Sequence, residues 1–278
     1  MIIDAHQHFW SLARGDYGWL KPSATALFRD FLPGDLQTTL AAHGVAATVL
    51  VQAAPSEAET LYLLALARDW PTARAVVGWV DMTSDTAEPS LERLAEHPLL
   101  RGVRPMIQDE PNPEWMLQPA VGRSLRALKA HALTLDALVR PLHLPALKIL
   151  VDRHPDVPVV IDHGAKPDIA GDSFQPWADD IRALSRRPQV MCKLSGLLAE
   201  AGPGASATDL RPYAEHLLDC FGPGRLMWGS DWPVLTQIGD YGAWLDQART
   251  LVDALGDDEQ AQIFGGAAAG FYRIGEKT

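Results

Sequence analysis

The sequence predicts a single-domain (β/α)8 barrel spanning residues 1–278, distorted and with a long loop after its first strand. Three observations predict it. Eight short apolar runs recur from end to end, continuous enough to be parallel strands buried on both faces. Segments of helical periodicity alternate with most of them. With 278 residues, 47% of them hydrophobic, the chain can fill such a barrel as one domain.

The strand candidates, in order, are Ile2–His8, Ala47–Gln52, Ala75–Asp81, Gly102–Met106, Thr134–Val139, Val157–His163, Val190–Leu194 and Leu226–Asp231. Between them, Asp35 is placed to cap a helix over Leu36–His43, with Gly44 just past its end. Ser56-Glu57-Ala58-Glu59 has capping-box spacing and opens a helix running to Asp69. Met116–His131, Leu144–His154, Pro176–Arg186, Asp209–Phe221 and Tyr241–Leu255 complete the helices. Pro71, Pro98, Pro155, Pro188 and Pro223 fall where helices should stop. The stretch Ser11–Leu32, rich in glycine, aromatic and polar residues, is a loop long enough to fold over the barrel mouth as a lid. An open doubly wound sheet is the competing architecture. No Gly-x-Gly-x-x-Gly follows the first strand, however, where histidines stand instead.

The formal net charge is −11, with no block of lysine or arginine. Nucleic acid and anionic membrane surfaces, which need clustered cations, are poor partners. No apolar run approaches the ~20 residues that span a bilayer, and no basic stretch precedes an apolar core at the N-terminus. Cys192 and Cys220 offer no disulfide framework. These features fit a cytoplasmic protein acting on a small molecule, its oligomeric state open.

The most informative residues are His6 and His8. Residues two apart on a strand share a face, so both imidazoles project to one side, where they can hold a metal or polarise an oxygen. In barrels of this class the chemistry lies at the C-terminal strand ends. Those ends carry Gln52, Asp81, Arg104, Arg140, His163, Lys193 with Ser195, and Asp231 in addition to the two histidines. Such a concentration of ionisable groups points to an enzyme. Asp231 closes an apolar strand before Trp232-Pro233, and burying it requires a partner or a turn-capping role. His163 competes with a satisfied core histidine, and Arg104, suited to a planar clamp on a carboxylate or carbonyl, competes with a structural ion pair. His143 is a further candidate for the mouth. His43, His97, His131, His154 and His216 lie on or at helix ends, where solvent-facing or capping roles are the default.

These motifs together resemble the amidohydrolase superfamily, and within it a branch of lactonases. The resemblance rests on Asp4-Ala5-His6-Gln7-His8-Phe9-Trp10, Asp162-His163-Gly164-x-Lys166-Pro167, Lys193-Leu194-Ser195-Gly196, Trp228-Gly229-Ser230-Asp231-Trp232-Pro233 and Ile263-Phe264-Gly265-Gly266, which span almost the whole chain. Metal-dependent members bridge two ions through a lysine or glutamate after the fourth or fifth strand, with histidines after the fifth and sixth. Here Arg104 and Arg140 occupy the fourth and fifth positions, leaving only His163 of that set. Two arginines at the mouth raise the cost of a dication, so no two-ion centre is expected. A single zinc ion held by His6, His8 and Asp231, with His163 as a further ligand, has suitable ligand types, but no cofactor is expected to be required. The family's usual Asn before the terminal aromatic segment is Ala267 here, a change expected to affect local packing.

The resemblance is closest to the sugar-lactone members. It implies hydrolysis of L-fuconolactone or a related aldonolactone to the free acid. Asp231 would activate water, while His6, His8, His163 and Arg104 polarise the carbonyl. Trp10, Trp232, Arg140 and Lys193 would bind the substrate, Trp19 being a further stacking candidate. The alternatives are a zinc-dependent decarboxylase on the same scaffold and a barrel that binds a sugar acid without turning it over.

Overall fold

The computed structural model of the chain describes residues 1–275. Eight parallel strands form one sheet in sequential order. They are β1 Ile2–Gln7, β2 Val45–Val51, β3 Ala73–Gly78, β4 Leu100–Val103, β5 Thr134–Ala137, β6 Val159–Ile161, β7 Val190–Leu194 and β8 Leu226–Trp228. All eight expected runs are strands, but several end earlier. β3, β4 and β8 stop at Gly78, Val103 and Trp228. Single ladder bonds continue past the ends of β4 and β2: Arg104 N–H donates to Gly78 O at 2.8 Å and Gln52 N–H to Val77 O at 2.8 Å.

The last strand meets the first. Asp231 N–H donates to His6 O at 2.8 Å and His8 N–H to Trp232 O at 2.7 Å, with a parallel bridge between Gln7 and Trp232. In β1, Asp4 and Gln7 pair with Thr48 and Leu50, three residues against two. This bulge is the device that lets Ile3 and Ala5 face the interior below while His6 and His8 face it above.

Inside the ring, Val49, Val77, Val160 and Met227 pack with Ala267, Ala268 and Tyr272, which close the N-terminal end of the barrel. Ala267 thus sits in a packing layer, as expected. The outer faces of the same strands pack against α1 Pro33–Ala42, α2 Glu57–Asp69, α3 Ala87–Ala95, α4 Pro119–Ala130, α5 Leu144–Arg153, α6 Trp177–Ser185, α7 Leu197–Ala201, α8 Ala207–Phe221 and α9 Tyr241–Leu251, in the larger apolar cluster. Two short helices, α10 Asp257–Ala261 and α11 Ala267–Phe271, follow.

Local chemistry explains where these differ from expectation. Ser56 caps α2 as its spacing predicts, Oγ accepting from Glu59 N at 3.1 Å. Glu59 does not reach back to its cap. Its buried carboxylate instead accepts from Ala53 N and Ala54 N, at 2.7 Å in the latter case. Asp35 sits in the first turn of α1, not before it, and accepts from Leu32 N at 2.8 Å. The run Met116–His131 breaks at Gln118, extended ahead of Pro119, into a 3-10 turn and α4. α3 was not anticipated, although Leu91 and Leu94 face the core at helical spacing. His216, expected at a helix surface, is buried, and its Nε2–H donates to Ala178 O at 2.8 Å.

The loop after β1 folds over the mouth. Trp10 and Phe31 pair at its base, Trp10 N–H to Phe31 O at 3.0 Å and Phe31 N–H to Trp10 O at 2.9 Å. Their rings pack at 5.1 Å, with Trp19 5.5 Å from Trp10 and Trp232 5.2 Å from Phe31. A buried tryptophan of this kind contributes about 3–5 kcal/mol relative to alanine, so the loop base is firmly anchored. Among the described residues no helix is long and apolar enough to cross a membrane.

Candidate active site

A cavity of about 230 Å³ opens at the C-terminal end of the barrel, lined by His8, Arg104, His163, Lys166 and Asp231, with Trp19 of the loop at its edge. His8 reaches it from the end of β1, and its orientation is fixed. Nδ1 lies 2.8 Å from Val51 O, and since a carbonyl only accepts, Nδ1 carries a proton. Its Nε2 therefore turns to the site, 3.2 Å from His6 Nε2 and 3.3 Å from Asp231 Oδ1. His6 is fully buried one layer below, held close to β8 because position 229 is glycine. A Cβ there would stand 2.7 Å from His6 Cβ.

His163 follows β6 on an unusual backbone. His163, Gly164, Ala165 and Lys166 all have positive φ, at 54°, 58°, 64° and 53°. Asp231 has a φ of 59°. Left-handed backbone costs non-glycine residues of order 1–3 kcal/mol each and persists only where the surroundings enforce it. Here they do. The His163 ring rests on Gly196, whose absent Cβ would lie 2.7 Å from Cγ. Ser195 Oγ is 2.8 Å from His163 Nδ1, and Gly164 O accepts from Trp177 Nε1 at 2.7 Å. The Ser230–Asp231 turn is held by Asp4, whose Oδ1 accepts from Ser230 N at 2.8 Å and His6 N at 3.2 Å. Its Oδ2 accepts from Tyr241 Oη at 3.0 Å. Asp4 thus orients both the imidazole strand and the carboxylate turn.

Asp231 Oδ1 lies 3.3, 3.7 and 3.9 Å from the Nε2 atoms of His8, His6 and His163. Burial works against its charge, but His163, the His8 hydrogen bond and His6 outweigh that and hold the carboxyl well below the usual range. Burial also pushes His163 down, to about 4 against the attraction of Asp231 and Asp162, and His6 well below its ordinary value, with Lys193 adding to the effect. At neutral pH, then, both rings are neutral. The carboxylate relies on N–H donation and on the cations farther out more than on imidazolium charge.

Arg104 is nearly fully buried. Its Nη2 donates to Gln52 O, and Nη1 stands 3.4 Å from His6 Nε2 and 3.5 Å from Asp162 Oδ2. Lys166 is the cavity residue the sequence motifs contained without pointing to its role. Burial lowers its pKa while Asp231 and Glu200 oppose that. The signal was present in the motif Gly164-x-Lys166-Pro167, but nothing in spacing says that a left-handed turn swings this ammonium over the mouth.

The structure therefore brings His6, His8, His163, Asp231 and Arg104 together. It places other expected residues elsewhere. Arg140 is exposed at the rim, its N–H donating to His143 Nδ1 at 3.0 Å, so His143 is a cap and not a mouth residue. Trp10, expected to stack on substrate, is fully buried, its Nε1–H donating to Arg29 O at 2.8 Å. Trp232 packs among Phe9 and Phe31. Lys193, fully buried, bonds Asp136 Oδ2 at 2.6 Å beneath the site. An apolar strand end was too coarse a signal to separate the ring's interior from its mouth.

His6, His163 and Asp231 bring ligand atoms within 4.8 Å of one another, with His8 Nε2 3.2 Å from His6 Nε2 and 3.3 Å from Asp231 Oδ1, so the donor types suit one metal ion. Two cations abut the same cluster: Lys193 Nζ is 3.1 Å from His6 Nδ1 and Arg104 Nη1 3.4 Å from His6 Nε2.

Fold and site together define an amidohydrolase. The Amidohydrolase family model matches residues 3–274, and the chain belongs to that family. It is 46% identical over 276 residues to an L-fucono-1,5-lactonase of Burkholderia ambifaria, covering 98% of this chain and 95% of that protein. It is 37% identical over 293 residues to an L-fucono-1,5-lactonase of Burkholderia multivorans, covering 99% and 96%. An amidohydrolase structure from Burkholderia multivorans with bound zinc superimposes with a TM-score of 0.91 at 35% identity, covering 99% of each chain.

Two expectations follow from the geometry. Protonating His163 would pair it with Asp231 and disable the carboxylate. Because burial sets that step at about 4, kcat/KM should stay level from about pH 8 to about pH 5 and decline as pH falls through about 4. A decline centred at the ordinary imidazole value of about 6.5 would contradict the burial argument. For Arg104, lysine should not substitute, since a point charge cannot reproduce the fork that reaches Gln52 O, Asp162 and the cavity. Arg104→Lys should lose about 10²-fold or more in kcat/KM. Arg104→Ala should also lower Tm, because it takes one of the two cations away from buried Asp162. Wild-type kcat/KM in a folded Arg104→Lys would reduce this residue to a structural ion pair.

Proposed function

We propose that the protein is a lactonase that opens a sugar lactone, L-fuconolactone or a related aldonolactone, to the free acid. The observation that carries the reading is one ionised carboxylate, Asp231, ringed by three imidazoles on the wall of a cavity that also exposes Arg104 and Lys166. About 230 Å³ is below the ~300–1,000 Å³ typical of drug-sized ligand sites, which suits a single small ring. Two relatives bearing the L-fucono-1,5-lactonase name, at 46% and 37% identity over nearly the whole chain, support the same substrate class.

In this mechanism Asp231 accepts a proton from a water as the water oxygen attacks the lactone carbonyl carbon. The carbonyl π-electrons move onto oxygen, where an N–H donor from His163, with Arg104 and Lys166 behind it, stabilises the developing charge. His6 acts from beneath. Each well-placed donor is worth roughly 3–4 kcal/mol in the transition state. Collapse re-forms the carbonyl, breaks the bond to the ring oxygen, and Asp231 returns its proton to the departing alkoxide. A carboxyl held so far below its usual range is a weak base. The chemistry therefore leans on polarising the carbonyl, which an activated cyclic ester tolerates and an amide does not. Arg140 at the rim and Trp19 at the cavity edge would meet the sugar hydroxyls and ring face.

The donor set fits one metal ion, which His6, His8, His163 and Asp231 would hold. Such an ion would supply Lewis-acid polarisation of the carbonyl. The donors and cations already present favour hydrolysis without it.

A pH-indicator assay against a panel of aldonolactones tests the reading directly. Turnover of L-fuconolactone or a close relative is expected, and inactivity against every sugar lactone would remove it. Asp231→Asn keeps the shape but removes the base, so it should fold normally and lose nearly all kcat. Retention of more than about a tenth of wild-type kcat would take Asp231 out of the base role. Activity should also survive exhaustive chelation. Complete inactivation, restored by one equivalent of zinc, would establish a metal requirement instead.

A further inference from the structure

Gln108 lines the cavity wall, yet the hydrolytic scheme leaves it without a task. It stands in the 3-10 turn Ile107–Asp109 that follows β4. That turn is firmly placed. Ile107 is buried in the apolar cluster, and Gln108 N–H donates to Leu138 O, just past the end of β5, at 2.9 Å. The side chain is not held in the same way. Its Oε1 is shielded from water and accepts no hydrogen bond. Gln7 and Gln52 also have an unpartnered oxygen, but each ties down its amide through Nε2, to Thr48 Oγ1 at 3.2 Å and to Arg104 O at 2.7 Å. Among the described residues nothing bonds either end of the Gln108 amide. A shielded amide oxygen without a partner is unfavourable, and native proteins keep few of them. The last torsion of glutamine is broad and roughly two-fold, so rotation brings either end of the amide into the cavity without moving the backbone.

The charged groups on the same wall offer less. Arg104 and Lys166 only donate, Asp109 only accepts, and Asp231 is given to the attacking water. Sugar hydroxyls both donate and accept, and a primary amide can meet two of them at once, with an acceptor at one end and donors at the other. We propose that Gln108 is a specificity-determining residue whose amide bonds two adjacent hydroxyls of the sugar lactone and so reads configuration at the carbons that bear them. An epimer at either carbon turns its hydroxyl away and leaves one end of the amide unpaired, as it is in the free protein. A site built on such hydrogen bonds discriminates against a ligand that cannot complete them. The identity of the ligand rests on the lactonase reading, whereas the uncommitted amide does not depend on it.

Gln108→Met tests this, since it keeps the length of the side chain and removes both hydrogen-bonding ends. The amide holds nothing in the free protein, so Tm should stay level or rise slightly; a sharp fall would mark a structural role and overturn the proposal. With the preferred lactone, KM should rise about tenfold while kcat stays near wild type, because these bonds form on binding and persist in the transition state. Across lactone pairs epimeric at one carbon, the wild-type preference should shrink at two adjacent carbons and hold at the others. An unchanged KM, or an equal loss for every epimer, would overturn the proposal. Calorimetric titration with the free acid, L-fuconate, needs no turnover and should show about tenfold weaker binding to the variant; equal affinities would again overturn it. A wild-type protein that binds the acid with this dependence on Gln108 yet opens no lactone would sink the lactonase reading and leave the role of Gln108 intact. One that neither binds the acid nor opens a lactone would remove both.

Discussion

An ammonium group sealed from water at the centre of the barrel constrains everything built above it. Lys193, Asp136 and Asp162 are all fully buried, and an unpaired charge at such depth costs several kcal/mol. The three must stay together, and they divide the charge unequally. Burial raises the Asp136 carboxyl and Asp162 adds to that, while Lys193 and the Tyr272 hydroxyl, 2.6 Å from Oδ2, pull it back. For Asp162, burial is outweighed by Lys193, then His6 and Arg104, and its carboxyl is held well below the usual range. Because Arg104 and His6 both touch this group from above, the position of the cluster at the mouth is tied to charge balance at the centre.

The same constraint accounts for the strained backbone. Charged and polar side chains must reach the cavity from strand ends only a few residues apart, and a regular turn would not aim them there. Positive φ at His163, Ala165, Lys166 and Asp231 turns them inward. The cost is offset locally by Gly196 beneath the His163 ring and by Asp4 binding two backbone N–H groups. Strain of this kind clusters where a site over-determines its own geometry.

Much of the fold was legible because each strand is apolar on both faces and each helix has one apolar stripe, patterns that depend on neighbours along the chain. All eight strands are found, and α3, outside the sequence expectation like the short α7, α10 and α11, still shows its stripe at Leu91 and Leu94. The site was legible in part. His6, His8, His163, Arg104 and Asp231 converge because the period of a strand places them at one end of the ring. Trp10, Trp232 and Lys193 stand in the same motifs but face the loop base or the interior. That distinction arises from the bulge in β1 and the left-handed turn after β6, which have no periodic signature. Lys166 was hidden for the same reason.

The seam between β8 and β1 carries a consequence for the order of assembly. His8 and Asp231 are 223 residues apart in the chain, yet they become neighbours only when the last strand docks on the first. Loop closure over such a separation is among the later events in folding. On the ribosome, His8 emerges 223 residues ahead of the carboxylate it meets. A truncated or stalled nascent chain can therefore hold most of the barrel and none of its reactive centre.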